Sequence, residues 1–152
     1  MICFFDTSAL IKRYVAEQGS TWVEQLTDPQ TGNQLYVVGI TLVEMIAAVA
    51  RRQRNGAISA PDAAAISQDI HDDFAQDYQV VEITASLLAQ AAGLARKHGL
   101  RGYDAVQLAA ALEVNARAIG AGLPGIQLIS ADTALNAAAT LEGLLVEDPN
   151  TH

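Results

Sequence analysis

Short apolar runs alternate with longer helical segments along this chain, and the alternation constrains the fold more than any other feature. Strands are predicted at residues 2–5, 35–38, 79–83, 126–129 and 144–146. Helices are predicted at residues 7–16, 20–26, 41–54, 61–75, 85–98, 103–119 and 133–139. Strands that alternate with helices form a mostly parallel sheet covered by helices. The fold class is therefore predicted to be α/β.

Length and composition fit a single domain with a substantial core. The chain has 152 residues, of which 51% are apolar, and this excludes a disordered protein. No apolar stretch approaches the ~20 residues of a membrane span. No basic segment precedes the first apolar run, as a secretory signal requires. The one cysteine, Cys3, cannot form an internal disulfide. These features predict a cytoplasmic protein without a membrane segment.

Two acids follow predicted strands. Asp6 comes directly after the first apolar run and precedes the hydroxyl residues Thr7 and Ser8. Asp132 follows the fourth predicted strand, two residues after Ser130, whose hydroxyl could orient a carboxylate or a water molecule. Ligand clefts form at such strand ends in α/β sheets. Each acid also has an ordinary interpretation as the N-cap of the next helix, and both interpretations stay open.

Two further acids lie in the first turns of predicted helices. Helical spacing places Glu44 opposite the apolar face of its helix, which fits either a solvated surface or a wet cleft. Asp104 shares a helix face with Leu108 and Leu112, so its carboxylate begins an inward-facing stripe. Because a buried unpaired charge is costly, Asp104 needs a metal, a basic side chain or backbone N–H groups as its partner. A helix-start acid that the helix dipole favours is the alternative.

The four acids together indicate a divalent-metal site. Asp6, Glu44, Asp104 and Asp132 stand among apolar and small residues. Each lies where an α/β sheet opens a crevice. Four carboxylates that converge cannot all stay ionised without a cation, and their oxygens suit a hard divalent ion.

The net charge of −8 argues against a nucleic-acid partner, but the distribution of the basic residues weakens that objection. Eight of the nine basic residues form three clusters, which are Lys12 and Arg13, then Arg51, Arg52 and Arg54, then Arg96, Lys97 and Arg101. Each cluster lies within about ten residues of one of the four acids. These residues are either cations that complement helix C-termini or contacts for RNA phosphates, and the two roles are compatible.

Four separated segments resemble, in order, the acidic motifs of the PIN domain family, and most of all those of its VapC-like toxins. The segments are Phe5-Asp6-Thr7-Ser8-Ala9-Leu10, the helix that carries Glu44, Tyr103-Asp104-Ala105-Val106-Gln107-Leu108-Ala109-Ala110-Ala111, and Ser130-Ala131-Asp132. The resemblance implies a single PIN-like domain at residues 1–148 and a C-terminal tail at residues 149–152. It implies a three-layer α/β/α sandwich and a metal-dependent endoribonuclease that leaves 5′-phosphate and 3′-hydroxyl ends.

The resemblance also implies roles for individual residues and for partners. It implies that the four acids form an acidic pocket that holds a Mg²⁺ or Mn²⁺ ion. The role of the acid at the position of Asp132 varies most within the family. Ser8 and Ser130 become supporting hydroxyls, and Ser130 stands where the family often has threonine. VapC-like toxins usually form homodimers, and an antitoxin tail in the acidic groove holds them inactive. RNA, a cognate antitoxin and a second copy of the chain are therefore the expected partners.

Three alternatives differ from this interpretation. A catalytically silent PIN-like module would bind RNA or a protein without cutting, and metal-dependent turnover separates the two cases. A phosphotransferase of the haloacid dehalogenase type needs a second Asp where this chain has Ser8. A receiver domain needs a lysine at a later strand end, and no lysine follows Lys97.

Overall fold

A five-stranded parallel sheet forms the centre of the fold in the computed structural model, which describes all 152 residues. Its strands are β1 (Ile2–Phe5), β2 (Gln34–Val38), β3 (Gln79–Val81), β4 (Gln127–Ile129) and β5 (Leu145–Glu147). Their spatial order is β3-β2-β1-β4-β5, and every pairing is parallel. The prediction of a mostly parallel sheet is confirmed, and each strand overlaps a predicted segment.

Seven helices cover the two faces of the sheet. One face carries α1 (Thr7–Leu10), α2 (Ser20–Thr27), α3 (Ile40–Arg54) and α4 (Ala60–Gln76), and the other carries α5 (Ala85–His98), α6 (Gly102–Gly120) and α7 (Thr133–Leu141). Side chains alternate along β1, so that Cys3 and Phe5 enter the first core and Phe4 enters the second. The predicted α/β/α sandwich is confirmed. None of the helices combines the length and the apolar character needed to cross a membrane.

The first helix ends earlier than predicted. The sequence predicts a helix over residues 7–16, whereas α1 gives way to a 3-10 turn at Ile11–Arg13. The buried Lys12 ammonium in this turn donates to Glu17 Oε1 at 3.0 Å, to the Gln18 carbonyl at 2.9 Å and to Asn150 Oδ1 at 3.0 Å. A continuous helix would carry Glu17 and Gln18 away from Lys12, so the need to satisfy a buried cation favours the turn.

A polar cluster joins the end of this turn to the end of α4. The Tyr14 hydroxyl donates to Asp73 Oδ2 at 2.6 Å and lies 2.6 Å from the Tyr78 hydroxyl. The Arg13 guanidinium donates to the Tyr78 hydroxyl at 2.7 Å. Burial raises the pKa of Tyr78 to about 12 and raises the pKa of Tyr14 as well, so both side chains are neutral phenols.

The last residues of the chain contact α2 and the residues just before it. The Gln18 amide nitrogen donates to the Asn150 carbonyl at 2.6 Å, and the His152 ring stacks on Trp22 with the ring centroids 4.1 Å apart. Gly19 adopts a φ of +83°, and a Cβ atom there would lie 2.2 Å from the Pro149 carbonyl oxygen. This close approach requires glycine, because any side chain would collide with the backbone.

Candidate active site

A cleft opens at the carboxyl end of the sheet, where the strand order reverses. β2 and β3 lie on one side of β1, and β4 and β5 lie on the other. Ligand sites in open α/β sheets form at such a switch point. The cleft has a volume of about 500 Å³, and all four acids identified in the sequence line it: Asp6, Glu44, Asp104 and Asp132.

Asp6 is anchored through only one of its two carboxylate oxygens. It follows β1, is only 4% exposed, and its Oδ2 accepts hydrogen bonds from the Ser8 N–H at 3.1 Å and the Ser8 hydroxyl at 2.5 Å. The Ser130 hydroxyl donates to the same oxygen at 3.3 Å. Both serines identified in the sequence therefore hold Asp6, while its Oδ1 has no protein partner.

Asp132 lies next to Asp6 because β4 pairs directly with β1. The Asp6 N–H donates to the Ile129 carbonyl at 3.0 Å, which brings the residues after the two strands together. Asp132 caps α7, since its Oδ1 accepts from the Leu135 N–H at 2.8 Å. Its own N–H donates to the Ser130 hydroxyl at 3.1 Å, so Ser130 connects the two acids. Asp132 is therefore both the N-cap of α7 and a residue of the cleft, two interpretations that the sequence left open.

Glu44 also uses one oxygen for support. Its Oε2 accepts from the Thr7 hydroxyl at 2.6 Å and from the Gln107 amide nitrogen at 3.0 Å. Its Oε1 has no protein partner, and the half-buried side chain lines the cleft. Glu44 therefore faces the cleft rather than open solvent, a choice that helix periodicity alone left undecided.

Asp104 makes neither a hydrogen bond nor an ion pair with its side chain. It lies in the first turn of α6 and is half-buried in the cleft wall. Burial raises the pKa of its carboxyl, and the negative charges of Asp132 and Glu44 raise it further, while Arg101 opposes them. The partner that this carboxylate needs is thus absent from the protein itself.

The pKa of Asp6 reports the same crowding of negative charge. It rises from 3.8 to about 6, and burial of the carboxyl is the largest cause. The hydrogen bonds from Ser8 lower the pKa, whereas the charges of Glu44 and Asp104 raise it. A cation in the cleft would relieve this repulsion and favour the ionised carboxylates.

Four basic residues share the cleft with the acids: Lys12, Arg51, Arg52 and Arg101. Glu17 neutralises two of them, because it pairs with Lys12 at 3.0 Å and with Arg52 at 3.2 Å. Arg51 and Arg101 are exposed and have no carboxylate partner. These two arginines are therefore the cleft cations available to bind phosphate.

Other members of the predicted basic clusters serve elsewhere. Arg13 pairs with Asp73 at 3.2 Å beside the tyrosine cluster. Lys97, at the end of α5, pairs with Glu142 at 2.6 Å. Arg13 and Lys97 are thus paired with protein carboxylates and do not line the cleft.

The donor set of the cleft fits a hydrated divalent ion. The oxygens without a protein partner are Asp6 Oδ1, Glu44 Oε1, one oxygen of Asp132 and both oxygens of Asp104, and none of them is sealed from solvent. No group of three or more Asp, Glu, His or Cys side chains is arranged to hold an ion by itself. Mg²⁺ usually keeps several waters and takes one or two carboxylates directly, so this open arrangement suits it better than a closed protein cage would.

Two amide side chains that sequence reasoning did not single out support the site. Gln107 donates to Glu44, and Asn136 donates to the Ser130 carbonyl at 2.8 Å. Gln107 carried a signal, since it is the one polar residue in the apolar run 105–111 and lies one turn after Asp104. Asn136 lies one turn after Asp132 on a helix whose buried residues are apolar.

Comparison with known proteins gives a consistent result. A family model described as PIN domain matches residues 3–141. Ribonuclease VapC45 from Mycobacterium tuberculosis (strain CDC 1551 / Oshkosh) is 33% identical over 145 residues, which cover 95% of this chain and 94% of the relative. All four acids lie within the matched range.

Solved structures share the fold at lower sequence identity. A toxin–antitoxin complex from Klebsiella pneumoniae contains a chain that is 18% identical and superposes with a TM-score of 0.61, with 97% of each chain covered. Mycobacterium tuberculosis VapC20, described as a sarcin-ricin loop cleaving toxin, is also 18% identical with a TM-score of 0.61, and the match covers 90% of this chain and 94% of VapC20. At such identities these two matches establish the shared fold alone.

Proposed function

The chain belongs to the PIN domain family, and from that premise we propose that it is an endoribonuclease that hydrolyses RNA phosphodiester bonds with the help of Mg²⁺ or Mn²⁺. The observation that carries the proposal is that four carboxylates, from four separate segments, line the one cleft at the switch point. The relationship to a ribonuclease at 33% identity across nearly the whole chain supports the same chemistry.

The four acids divide the task of holding the ion. Asp6 and Asp104 anchor it, and Glu44 and Asp132 complete the pocket directly or through water. When bound, such an ion lowers the pKa of a coordinated water and offsets charge on the scissile phosphate. Ser8 and the neighbouring Ser130 hold Oδ2 of Asp6, so that its Oδ1 stays directed to the cleft.

Substrate binding depends on relief of repulsion as well as on attraction. Two unit charges 4 Å apart interact by about 4 kcal/mol at an effective dielectric near 20, so the metal-free carboxylates repel an RNA phosphate. Arg51 and Arg101, the cleft cations without a carboxylate partner, bind the phosphates that flank the scissile bond. Cleavage with in-line attack leaves 5′-phosphate and 3′-hydroxyl ends.

The proposal is tested by charge removal at the two anchoring acids. Asp6→Asn and Asp104→Asn are expected to abolish Mg²⁺-dependent RNA cleavage, whereas Asp69→Asn, an exposed acid on α4, serves as the matched control and is expected to leave it unchanged. End mapping of the products checks the 5′-phosphate and 3′-hydroxyl assignment. Unchanged cleavage by either cleft variant refutes the assignment, and RNA binding without turnover by the wild type would identify a silent binding module.

We further propose that the enzyme is the toxin of a toxin–antitoxin pair, with an antitoxin protein as its partner. The toxin–antitoxin complex from Klebsiella pneumoniae supports this role through its shared fold. The product of the neighbouring open reading frame, when co-expressed, is expected to co-purify with the chain and to inhibit cleavage. With RNA as substrate and an antitoxin as partner, the proposed activity is cytoplasmic.

A homodimer is the third part of the proposal. An apolar groove of about 450 Å³ runs between α5 and α6, and the exposed Leu88 and Tyr103 line it. This surface supports pairing with a second copy of the chain. Light scattering is expected to give twice the mass of one chain, and Leu88→Glu is expected to reduce it to that of a monomer.

A further inference from the structure

Gln107 is a fully buried polar residue on the otherwise apolar inner face of α6. Its amide nitrogen lies 3.0 Å from Glu44 Oε2, 3.1 Å from the Thr7 hydroxyl oxygen and 3.0 Å from the Thr41 hydroxyl oxygen. Its carbonyl oxygen Oε1 has no hydrogen-bond partner at all. A buried amide whose nitrogen faces three acceptors and whose oxygen has no donor is energetically unfavourable. Such an arrangement is typical of functional sites, where the position of the nitrogen serves another group.

The orientation of this amide follows from the charge of Glu44. Turned over, Gln107 would place its carbonyl oxygen against the Glu44 carboxylate, so that two acceptors would face each other. The Thr7 hydroxyl donates a hydrogen bond to Glu44 Oε2 at 2.6 Å, and the Gln107 amide donates a second one to the same oxygen. Both donors act on the same oxygen, and Oε1 remains without a protein partner.

The same pattern occurs at a second amide of the site. The protein has only two sealed side-chain atoms without a partner, Gln107 Oε1 and Asn136 Oδ1. Both belong to amides whose nitrogen supports a cleft group, since Gln107 donates to Glu44 and Asn136 donates to the Ser130 carbonyl. Solvent-sealed side-chain acceptors without a partner thus occur in this fold only on amides whose nitrogen supports a cleft group.

We propose that Gln107 is a positioning residue that fixes Glu44 as a one-oxygen metal ligand. The proposal rests on the metal site assigned above. Gln107 and Thr7 restrain Glu44 Oε2, which leaves Oε1 as the oxygen presented to the ion or to its water shell. Groups that orient a metal ligand in this way typically contribute about 10–100-fold to metal affinity or activity.

The same amide couples the elements that carry three of the acids. Gln107 lies one turn after Asp104 on α6, Glu44 lies on α3, and Thr7 directly follows Asp6. One buried side chain therefore connects α6, α3 and the start of α1. Loss of the amide is expected to free Glu44 in particular, because Asp6 keeps its own serine donors.

Gln107→Met tests this inference, since it keeps an unbranched side chain of similar length and removes the donor. Calorimetric titration with Mn²⁺ is expected to show an affinity at least about 10-fold lower than wild type. The Mg²⁺ concentration for half-maximal RNA cleavage is expected to rise to a similar extent, with kcat at saturating Mg²⁺ changed by less than about threefold. If the methionine variant does not fold, Gln107→Asn gives the same test, because its shorter amide cannot reach Glu44.

Two controls separate positioning from simple loss of stability. Val114→Ala, in the buried part of the same helix and remote from the cleft, is expected to lower the melting temperature without changing Mn²⁺ affinity. In a double-mutant cycle with Glu44→Ala, Gln107→Met is expected to cause no further loss of affinity. An unchanged Mn²⁺ affinity in Gln107→Met, or an equal loss in the Glu44→Ala background, overturns the inference. A wild-type protein that binds no Mn²⁺ refutes the metal site itself.

Discussion

Asp6→Asn is expected to make the metal-free protein more stable at neutral pH while it removes activity. The Asp6 carboxyl is 4% exposed, and burial, with Glu44 and Asp104 adding to it, raises its pKa from 3.8 to about 6. Between these two pH values the folded chain holds a proton that the unfolded chain has already released. The contribution of this carboxyl to stability is therefore greatest below pH 3.8 and is lost as the pH rises through about 6.

The size of the effect follows from the two pKa values. At 1.36 kcal/mol per pH unit, the rise from 3.8 to about 6 corresponds to about 3 kcal/mol of stability lost by pH 7.5. Asparagine avoids this loss and keeps an oxygen that can accept from Ser8, but its amide nitrogen needs an acceptor of its own, which costs about 1 kcal/mol. We expect a net gain of about 2 kcal/mol at pH 7.5, or roughly 4–8 °C in melting temperature for a domain of this size.

Urea unfolding in EDTA at pH 4 and pH 7.5 provides the measurement, with Asp69→Asn as the exposed control. Asp6→Asn should match wild type within about 1 kcal/mol at pH 4 and exceed it at pH 7.5, because only the ionised carboxylate is destabilising. Equal stability of Asp6→Asn and wild type at pH 7.5 would show that the cleft does not crowd its carboxylates as described.

Three further outcomes are expected. Mg²⁺ at 100 times its dissociation constant should stabilise the wild type by about 2.7 kcal/mol in thermal melts at pH 7.5. The same Mg²⁺ concentration should stabilise it less at pH 4.5, because protons compete for the carboxylates, and an equal stabilisation at the two pH values would contradict the assignment of the metal site. Tyr14→Phe should lose about 1–3 kcal/mol in urea unfolding, since it removes the hydrogen bond to Asp73 from the part-buried cluster, and a neutral result would show that the cluster is already broken in solution. Gly19→Ala should lower the free energy of unfolding more than Gly122→Ala in the same assay, because both glycines have a positive φ but only a Cβ at residue 19 would collide with Pro149. If both variants lose only the roughly 1–3 kcal/mol expected from backbone strain, the terminal turn does not pack against Gly19.

The architecture was predictable from the chain because its signals are local. The period of the apolar residues and the helix caps mark strands and helices, as at Thr84, whose hydroxyl accepts from the Leu87 N–H at 3.1 Å. Asp6 and Asp132 were recognisable for the same reason, since each lies between an apolar strand and the helix that follows it. The end of α1 was not predictable, because it depends on Lys12 reaching Asn150 from the far end of the chain.

The support of the site was harder to predict than its acids. Helix periodicity could not decide whether Glu44 meets solvent or a cleft, because that depends on Thr7 and Gln107, which come from two other elements. The sequence also could not show which basic residues have no carboxylate partner. Glu17 takes both Lys12 and Arg52 only because the fold brings α3 beside the first turn. Contacts of this range have no local signature in sequence.

The position of β1 in the sheet has a consequence for synthesis of the chain. β1 is synthesised before the other four strands, yet one of its two neighbours, β4, is synthesised only after β2 and β3. The hydrogen bond between Ser130 and Asp6 joins residues 124 positions apart, so the acidic cleft is complete only when that later segment packs against the earlier one. The cleft of a nascent chain therefore lacks Asp132, and its Asp6 lacks the Ser130 hydrogen bond, until this segment has been made.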